Sequence, residues 1–285
     1  MPATELSLGV TLAVLGAGLL HASWNALLKA APGGDSLLDT ASVVAGSSLC
    51  ALVVVPFVAL PDPAAWKFAA ASAVVHFGYY VTLSQAYRTG DLSFAYPLMR
   101  GTAPLIVTLL GIAFLREWPT AQIAVGIALI SSGIVSIAFV RHNRHPPAAA
   151  GWAFANAAII AAYTLVDGAG ARVSGNALSY VAWLTFLEAF PFLAWIHLRR
   201  GPAAFAYVRR GWRRGLLGGA ISLAAYAIVL WAMTRAPIAA VAALRETSVL
   251  FAAVIGALWL KEGFGAQRAA GTVLIVAGVM TLRLS

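Results

Sequence analysis

Cysteine occurs once in the 285-residue chain, as Cys50, which excludes an internal disulfide framework and any thiolate metal cluster and leaves the redox compartment undetermined. Charge is also scarce. Asp, Glu, Lys and Arg make up 10% of the residues, where a soluble domain carries about 25%. Three catalytic signatures are missing: a His-Glu-x-x-His zinc helix, a Gly-x-Ser-x-Gly elbow and a Walker loop ending in Gly-Lys-Ser/Thr. His142 and His145 have a metal-compatible spacing, but they alternate with Arg141 and Arg144 and read as a solvated loop. The expectation is a protein that is not an enzyme, with no catalytic residues, metal site or cofactor. What is abundant is apolar, at 61% of residues and a mean hydropathy of +0.85. A water-soluble globule, a disordered chain and a nucleic-acid binder are poor matches to that composition, and the lipid bilayer becomes the solvent. The net charge of +9 then marks loops held on the cytoplasmic side rather than an anionic partner.

A helix needs roughly 20 apolar residues to cross the hydrocarbon. Ten segments qualify, at about 8–30, 37–60, 67–87, 92–114, 120–140, 148–171, 177–198, 215–233, 238–259 and 267–284. Breakers punctuate them: Pro32-Gly33-Gly34, Pro61-Asp62-Pro63, Gly90-Asp91, Pro146-Pro147, Gly201-Pro202 and Pro237. Runs such as Ile123 to Val140 are continuously apolar and lack the two-residue alternation of barrel strands, so the fold class expected is an all-α integral membrane protein. The first segment reads as a crossing rather than a signal peptide, because Glu5 and no basic residue precedes it and the apolar stretch is too long.

The two ends of the chain match at one constant shift of 145 residues. Arg100 falls on Arg245, Thr102 on Thr247, Leu105 on Leu250, Gly111 on Gly256, Leu115 on Leu260, Glu117 on Glu262, Gln122 on Gln267, Gly126 on Gly271 and Gly133 on Gly278. Chance apolar similarity aligns Leu and Ala; it does not put Arg, Glu, Gln and three glycines in register. The repeats expected are residues 1–145 and 146–285. Each holds about five crossings, an odd number, so the second must enter the membrane inverted, the arrangement of secondary transporters with substrate near the midplane.

These residues carry a family resemblance. Ala95-Tyr96-Pro97-Leu98 through Pro104-Leu105, Leu115-Arg116-Glu117, Gln122 and Gly126 to Gly133 resemble the drug/metabolite transporter superfamily in its EamA-type branch. The second copy repeats the pattern as Ala240 to Leu250, Leu260-Lys261-Glu262, Gln267 and Gly271 to Gly278. The resemblance covers essentially the whole chain. It implies a ten-helix bundle of two inverted five-helix units in the bacterial inner membrane, exporting amino acids or other small metabolites. It also places His21-Ala22-Ser23-Trp24-Asn25 and Tyr163 to Arg172 on the first helix of each half.

Ionisable groups at membrane depth are costly unless paired or solvated, and here they are few. Arg100 and Arg245 lie about eight residues, roughly 12 Å, into the fourth and ninth segments. Asp167, Glu188 and Glu246 are the acidic candidates, and His76 sits mid-way along the third segment. A guanidinium suits a substrate carboxylate through its planar fork of donors; equally, each Arg could pair with an acid or snorkel to an interface. Pro97 and Pro104 flank Arg100, so a kink beside the charge is expected. Aromatic candidates are Trp24, Tyr79, Tyr80, Tyr96, Tyr163, Tyr226 and Trp231, with His76, Tyr79 and Tyr80 forming one wall. His21, Asn25 and Lys29 share a stripe of the first segment, facing either a cavity or neighbouring helices. The substrate-binding set expected is Trp24, Asn25, His76, Tyr79, Tyr80, Tyr96, Arg100, Tyr163, Asp167, Tyr226, Trp231 and Arg245, on the first, third, fourth, sixth, eighth and ninth segments.

The glycines Gly126/Gly133 and Gly271/Gly278 permit close packing of the fifth and tenth segments. Glu117 and Glu262 open helices after short turns and are structural, through the helix dipole or Arg116 and Lys261. Orientation divides the argument. Loops after odd-numbered segments hold twelve basic residues against five on the other side, which puts both termini outside, whereas the resemblance leans to termini inside. The function expected is export of small organic solutes, most of all amino acids, by a monomer rather than a homodimer, with a small-molecule substrate and the bilayer as partners and no nucleic acid. Cationic drugs or nucleotide-type metabolites are alternative cargo; an intramembrane enzyme or passive channel is the alternative class. Proton antiport and facilitated diffusion both remain open.

Overall fold

The computed structural model describes residues 6–29, 35–89, 92–138, 146–258 and 266–284, and among these no residue is in a strand. The chain runs through α1 (Leu8–Lys29), α2 (Ser36–Val54), α3 (Trp66–Thr89), α4 (Leu92–Leu110), α5 (Ala121–Ala138), α6 (Pro147–Val173), α7 (Ala177–Arg200), α8 (Pro202–Arg210), α9 (Trp212–Met233), α10 (Ile238–Arg245), α11 (Ser248–Leu258) and α12 (Ala266–Arg283). The turn residues of the sequence serve as caps. Asp35 accepts from the amides of Leu37 and Leu38 at 3.2 Å each, and Asn176 from those of Leu178 and Ser179 at 2.9 and 3.3 Å. Each satisfies amides that lack an intrahelical partner. Pro147 occupies the first turn of α6, where a missing N–H costs nothing.

Among the described residues, six helices are long and apolar enough to cross a bilayer, namely α1, α2, α4, α6, α7 and α9, while α5 and α12 are shorter apolar helices. Leu109, Phe114, Val74, Leu198 and Val273 stand exposed on the outside, a surface suited to hydrocarbon and not to water. Three features depart from the sequence reading. The helix α8, nine residues and about 14 Å long, forms in a segment read as a loop, and it is too short to cross. The ninth segment is split at Glu246-Thr247 into α10 and α11, where bonds such as Thr247 N to Leu244 O (3.1 Å) and Leu250 N to Thr247 O (2.9 Å) tighten the spiral. In α4, helix continues through Pro97 and Pro104, and the irregularity comes later as a π turn at Gly111–Leu115, closed by Arg116 at φ 57°.

The longest seam joins α5 to α12. A Cβ built on Gly133 would lie 2.7 Å from the Gly271 carbonyl oxygen, and one on Gly278 would lie 2.7 Å from that of Gly126. Gly126 therefore meets Gly278 while Gly133 meets Gly271, so the two helices run antiparallel with their backbones in contact. A second close seam joins α2 and α9, where a Cβ on Gly46 would collide with the Gly215 carbonyl oxygen. Packing is exchanged between the halves: α3 lies on α6 and, correspondingly, α9 on α1. Asn156 clamps the first of these contacts by donating to the Tyr79 carbonyl (3.1 Å) and Thr82 Oγ1 (2.8 Å).

Glu117 is structural, but with partners other than Arg116 or Lys261. It pairs with Arg172 at the end of α6 and accepts from the amide of Ile238, the first residue of α10, at 3.1 Å. Arg172 also donates to the carbonyls of Met233 and Ala236. This cluster fixes the entry of α10, whose eight residues are all buried. Glu262, Lys261, His142 and His145 lie outside the described residues.

Candidate functional site: a two-pole central cavity

A cavity of about 950 Å³, solvent at its mouth included, opens between α1, α2, α3, α4, α6, α7, α9 and α10. Of the twelve residues expected to bind substrate, Trp24, His76, Tyr79, Tyr80, Arg100, Tyr163, Tyr226 and Arg245 line it. Four do not. Asn25 donates back to the His21 carbonyl at 2.7 Å, satisfying itself within its own helix. Tyr96 lies behind Arg100, its ring centroid 5.9 Å from the guanidinium carbon. Asp167 is buried behind Tyr226. Trp231 is 36% exposed and stacks under Arg235 at 4.9 Å, the arrangement of an interfacial anchor.

One pole is cationic. Glu246 is wholly buried, and its two oxygens face two guanidiniums: Oε2 lies 2.5 Å from Arg100 Nε, and Oε1 lies 3.2 Å from Arg245 Nη2. Two positive charges share one carboxylate, so the cluster keeps a surplus positive charge at the cavity wall. Arg100 also reaches His21 Nε2 at 3.3 Å and Ser248 Oγ at 3.5 Å. Trp24 Nε1 approaches the other His21 nitrogen at 3.3 Å. Both neighbours of the imidazole are N–H donors, and a neutral ring has one acceptor nitrogen, so His21 can accept from Trp24 or from Arg100 but not from both at once. At the position matching Glu246, the first repeat has Gly101, where a Cβ would meet Val135 Cγ2 at 2.7 Å. The second carboxylate that would balance the pair has no room.

The other pole is acidic and aromatic. Glu188 of α7 lines the cavity and lies 3.4 Å from His76 Nδ1. His76 stacks on Tyr163, with centroids 4.3 Å apart, and Tyr163 in turn lies 5.8 Å from the Arg245 guanidinium, so this ring touches both poles. Behind the wall, Asp167 accepts hydrogen bonds from Tyr180 (3.1 Å) and from Tyr226. Tyr180 reaches it because Gly170 leaves space; a Cβ there would collide with the Tyr180 hydroxyl. Asp167 thus orients Tyr226, which does face the cavity, and does not line it itself.

Sequence reasoning missed the share of α2 and α7. Thr40, Val43, Val44 and Ser47 come from α2, and Thr185 and Glu188 from α7. Glu188 was legible as an acid at membrane depth, but nothing in its segment sets one helical face apart. The inward turn of α2 follows from Gly46, Gly215 and Gly219, which seat it against α9.

The comparisons with known proteins agree with this architecture. The model of the EamA-like transporter family matches twice, over residues 7–139 and 148–284. A solved crystal structure superposes with a TM-score of 0.75 over 97% of this chain and 98% of that chain at 18% identity, which shows a shared fold. No curated protein matches by sequence. With both halves of a helical, cavity-bearing chain covered by the same family model, the protein belongs to the EamA-like transporter family and is a multi-pass membrane transporter of small solutes.

Proposed function

We propose that the chain exports small organic solutes bearing a carboxylate, amino acids above all, across the bacterial inner membrane, as a monomer in which two inverted five-helix units, residues 1–145 and 146–285, rock about the cavity. The observation that carries the cargo class is the sharing of Glu246 by Arg100 and Arg245, which leaves one positive charge to be matched by an anion. Glu188 in the same cavity offers a partner for an ammonium group, and the aromatic wall offers apolar surface between. The antiparallel glycine seam of α5 and α12 supports inversion of the repeats. Ten crossings follow if α8 lies at the interface and α10 with α11 counts as one.

Counterflow tests the reading. Proteoliposomes preloaded with unlabelled amino acids are expected to take up a radiolabelled amino-acid mixture saturably, with competition by individual amino acids. Competition by cationic drugs or nucleotides alone would reassign the cargo, unsaturable flux would indicate a channel, and a chemically altered product would indicate an enzyme.

A further inference from the structure

We infer that α8 and the arginines on either side of it form a docking site for anionic phospholipid headgroups, whatever the cargo. Arg199, Arg200, Arg209, Arg210, Arg213 and Arg214 crowd this stretch, and no acid occurs anywhere between Glu188 and Glu246. All six are exposed. Among the described residues only Arg200 has an acid within 4 Å, Asp35 at 3.4 Å. Asp39, the other acid against α8, accepts from the Tyr207 hydroxyl at 2.9 Å and is not shared with an arginine. Two of the guanidiniums lie on tryptophans, Arg199 on Trp195 and Arg213 on Trp212, each 5.5 Å from the ring centroid. Such stacking fixes them in place and leaves their charge to be matched from outside the chain.

Position selects a lipid over a soluble anion. Both α7 and α9 are long and apolar enough to cross the bilayer, and α8 joins the end of one to the start of the other, so it lies at headgroup depth. Its inner face, Ala204, Tyr207 and Val208 at helical spacing, packs on α2 and α7. Phe205 is 69% exposed and stands one turn from Arg209. Its apolar surface is continued by exposed Leu198 at the end of α7 and by Trp212 and Leu217 on α9. Acyl chains and phosphate thus find their partners on one surface, and the planar guanidinium fork suits phosphate oxygens. A nucleic acid or an acidic peptide would match the charge but leave Phe205 and Leu198 in water. The bond from Tyr207 to Asp39 ties α8 to α2 beside Thr40 of the cavity wall, so an occupied site steadies that wall.

The test uses the full chain in detergent, titrated with dioleoylphosphatidylglycerol, with dioleoylphosphatidylcholine and with inorganic phosphate, and read by thermal unfolding and by the lipid retained in native mass spectrometry. Phosphatidylglycerol is expected to raise the melting temperature and to stay bound, phosphatidylcholine and inorganic phosphate to do neither, and the effect to fade as salt is added. Arg209→Gln with Arg210→Gln, or Arg213→Gln with Arg214→Gln, is expected to move the titration midpoint to about 25-fold more lipid, at about fivefold per arginine. Arg235→Gln, at the other end of α9, is expected to leave it unmoved. An equal response to phosphatidylcholine or to phosphate overturns the inference, as does a midpoint that neither pair shifts or that Arg235→Gln shifts as far. A wild-type dimer that Phe205→Ala converts to monomer would assign the face to a second copy and also overturn it. A pair that fails to fold passes the decision to the other pair and to the contrast between lipids in the wild type.

Discussion

At the scale of single residues, two guanidiniums on one buried carboxylate make unequal predictions for the partners. Arg100→Ala removes the surplus charge but leaves Arg245 neutralising Glu246, so the variant is expected to fold with an unchanged melting temperature and to lose transport of carboxylate solutes. Wild-type kinetics in that variant would refute the anchoring role. Glu246→Gln instead strands two buried guanidiniums 5% and 6% exposed. Its expected cost is about 3–5 kcal/mol, read as loss of yield and a lower melting temperature in detergent. The arginines were legible in the sequence because the repeat puts them in register. Their common partner was not, since Glu246 beside Arg245 looks like local neutralisation until α4 is seen to bring Arg100 to its other oxygen. Trp231 was misjudged for a related reason: mid-segment and interfacial tryptophans look alike until the end of α9 is placed.

At the scale of elements, the α5–α12 seam is the sharpest test. Gly133→Ala or Gly271→Ala would press a methyl group onto a carbonyl oxygen at 2.7 or 2.8 Å, forcing the helices apart at about 1–3 kcal/mol. Gly16→Ala in α1, where nothing lies within 4 Å, is expected to be neutral or to stabilise by about 0.5–1 kcal/mol. Thermal unfolding of the variants side by side decides it. Glycines spaced by seven make this seam readable in the amino-acid sequence. The split of the ninth segment and the existence of α8 were not readable. The apolar run continues across Glu246-Thr247, and six arginines between 199 and 214 mask a helix that buries only Ala204 against α2 and α7.

At the scale of the whole molecule, the turn between α4 and α5 and the helix α8 belong to opposite ends of the bundle. Single cysteines at Trp118 and Ala203, in a Cys50→Ser background, are expected to react with a membrane-impermeant maleimide from opposite sides of oriented vesicles. The arginine-rich end, residue 203, is expected on the cytoplasmic face. Both labelling from one side would overturn the count of crossings. The helical bundle and its duplication could be read from composition and register alone, because both are properties of many residues at once. The cavity could not, because it is set by which faces the glycine seams turn inward.

Duplication supplies matching arginines in both halves, yet Gly101 stands where the other half has Glu246. A machine built from interchangeable halves would have two resting postures of equal energy, one open to each compartment. An acid at only one of the two matching positions removes that degeneracy, so the empty carrier is expected to favour one posture and cargo of the right charge to tilt the balance.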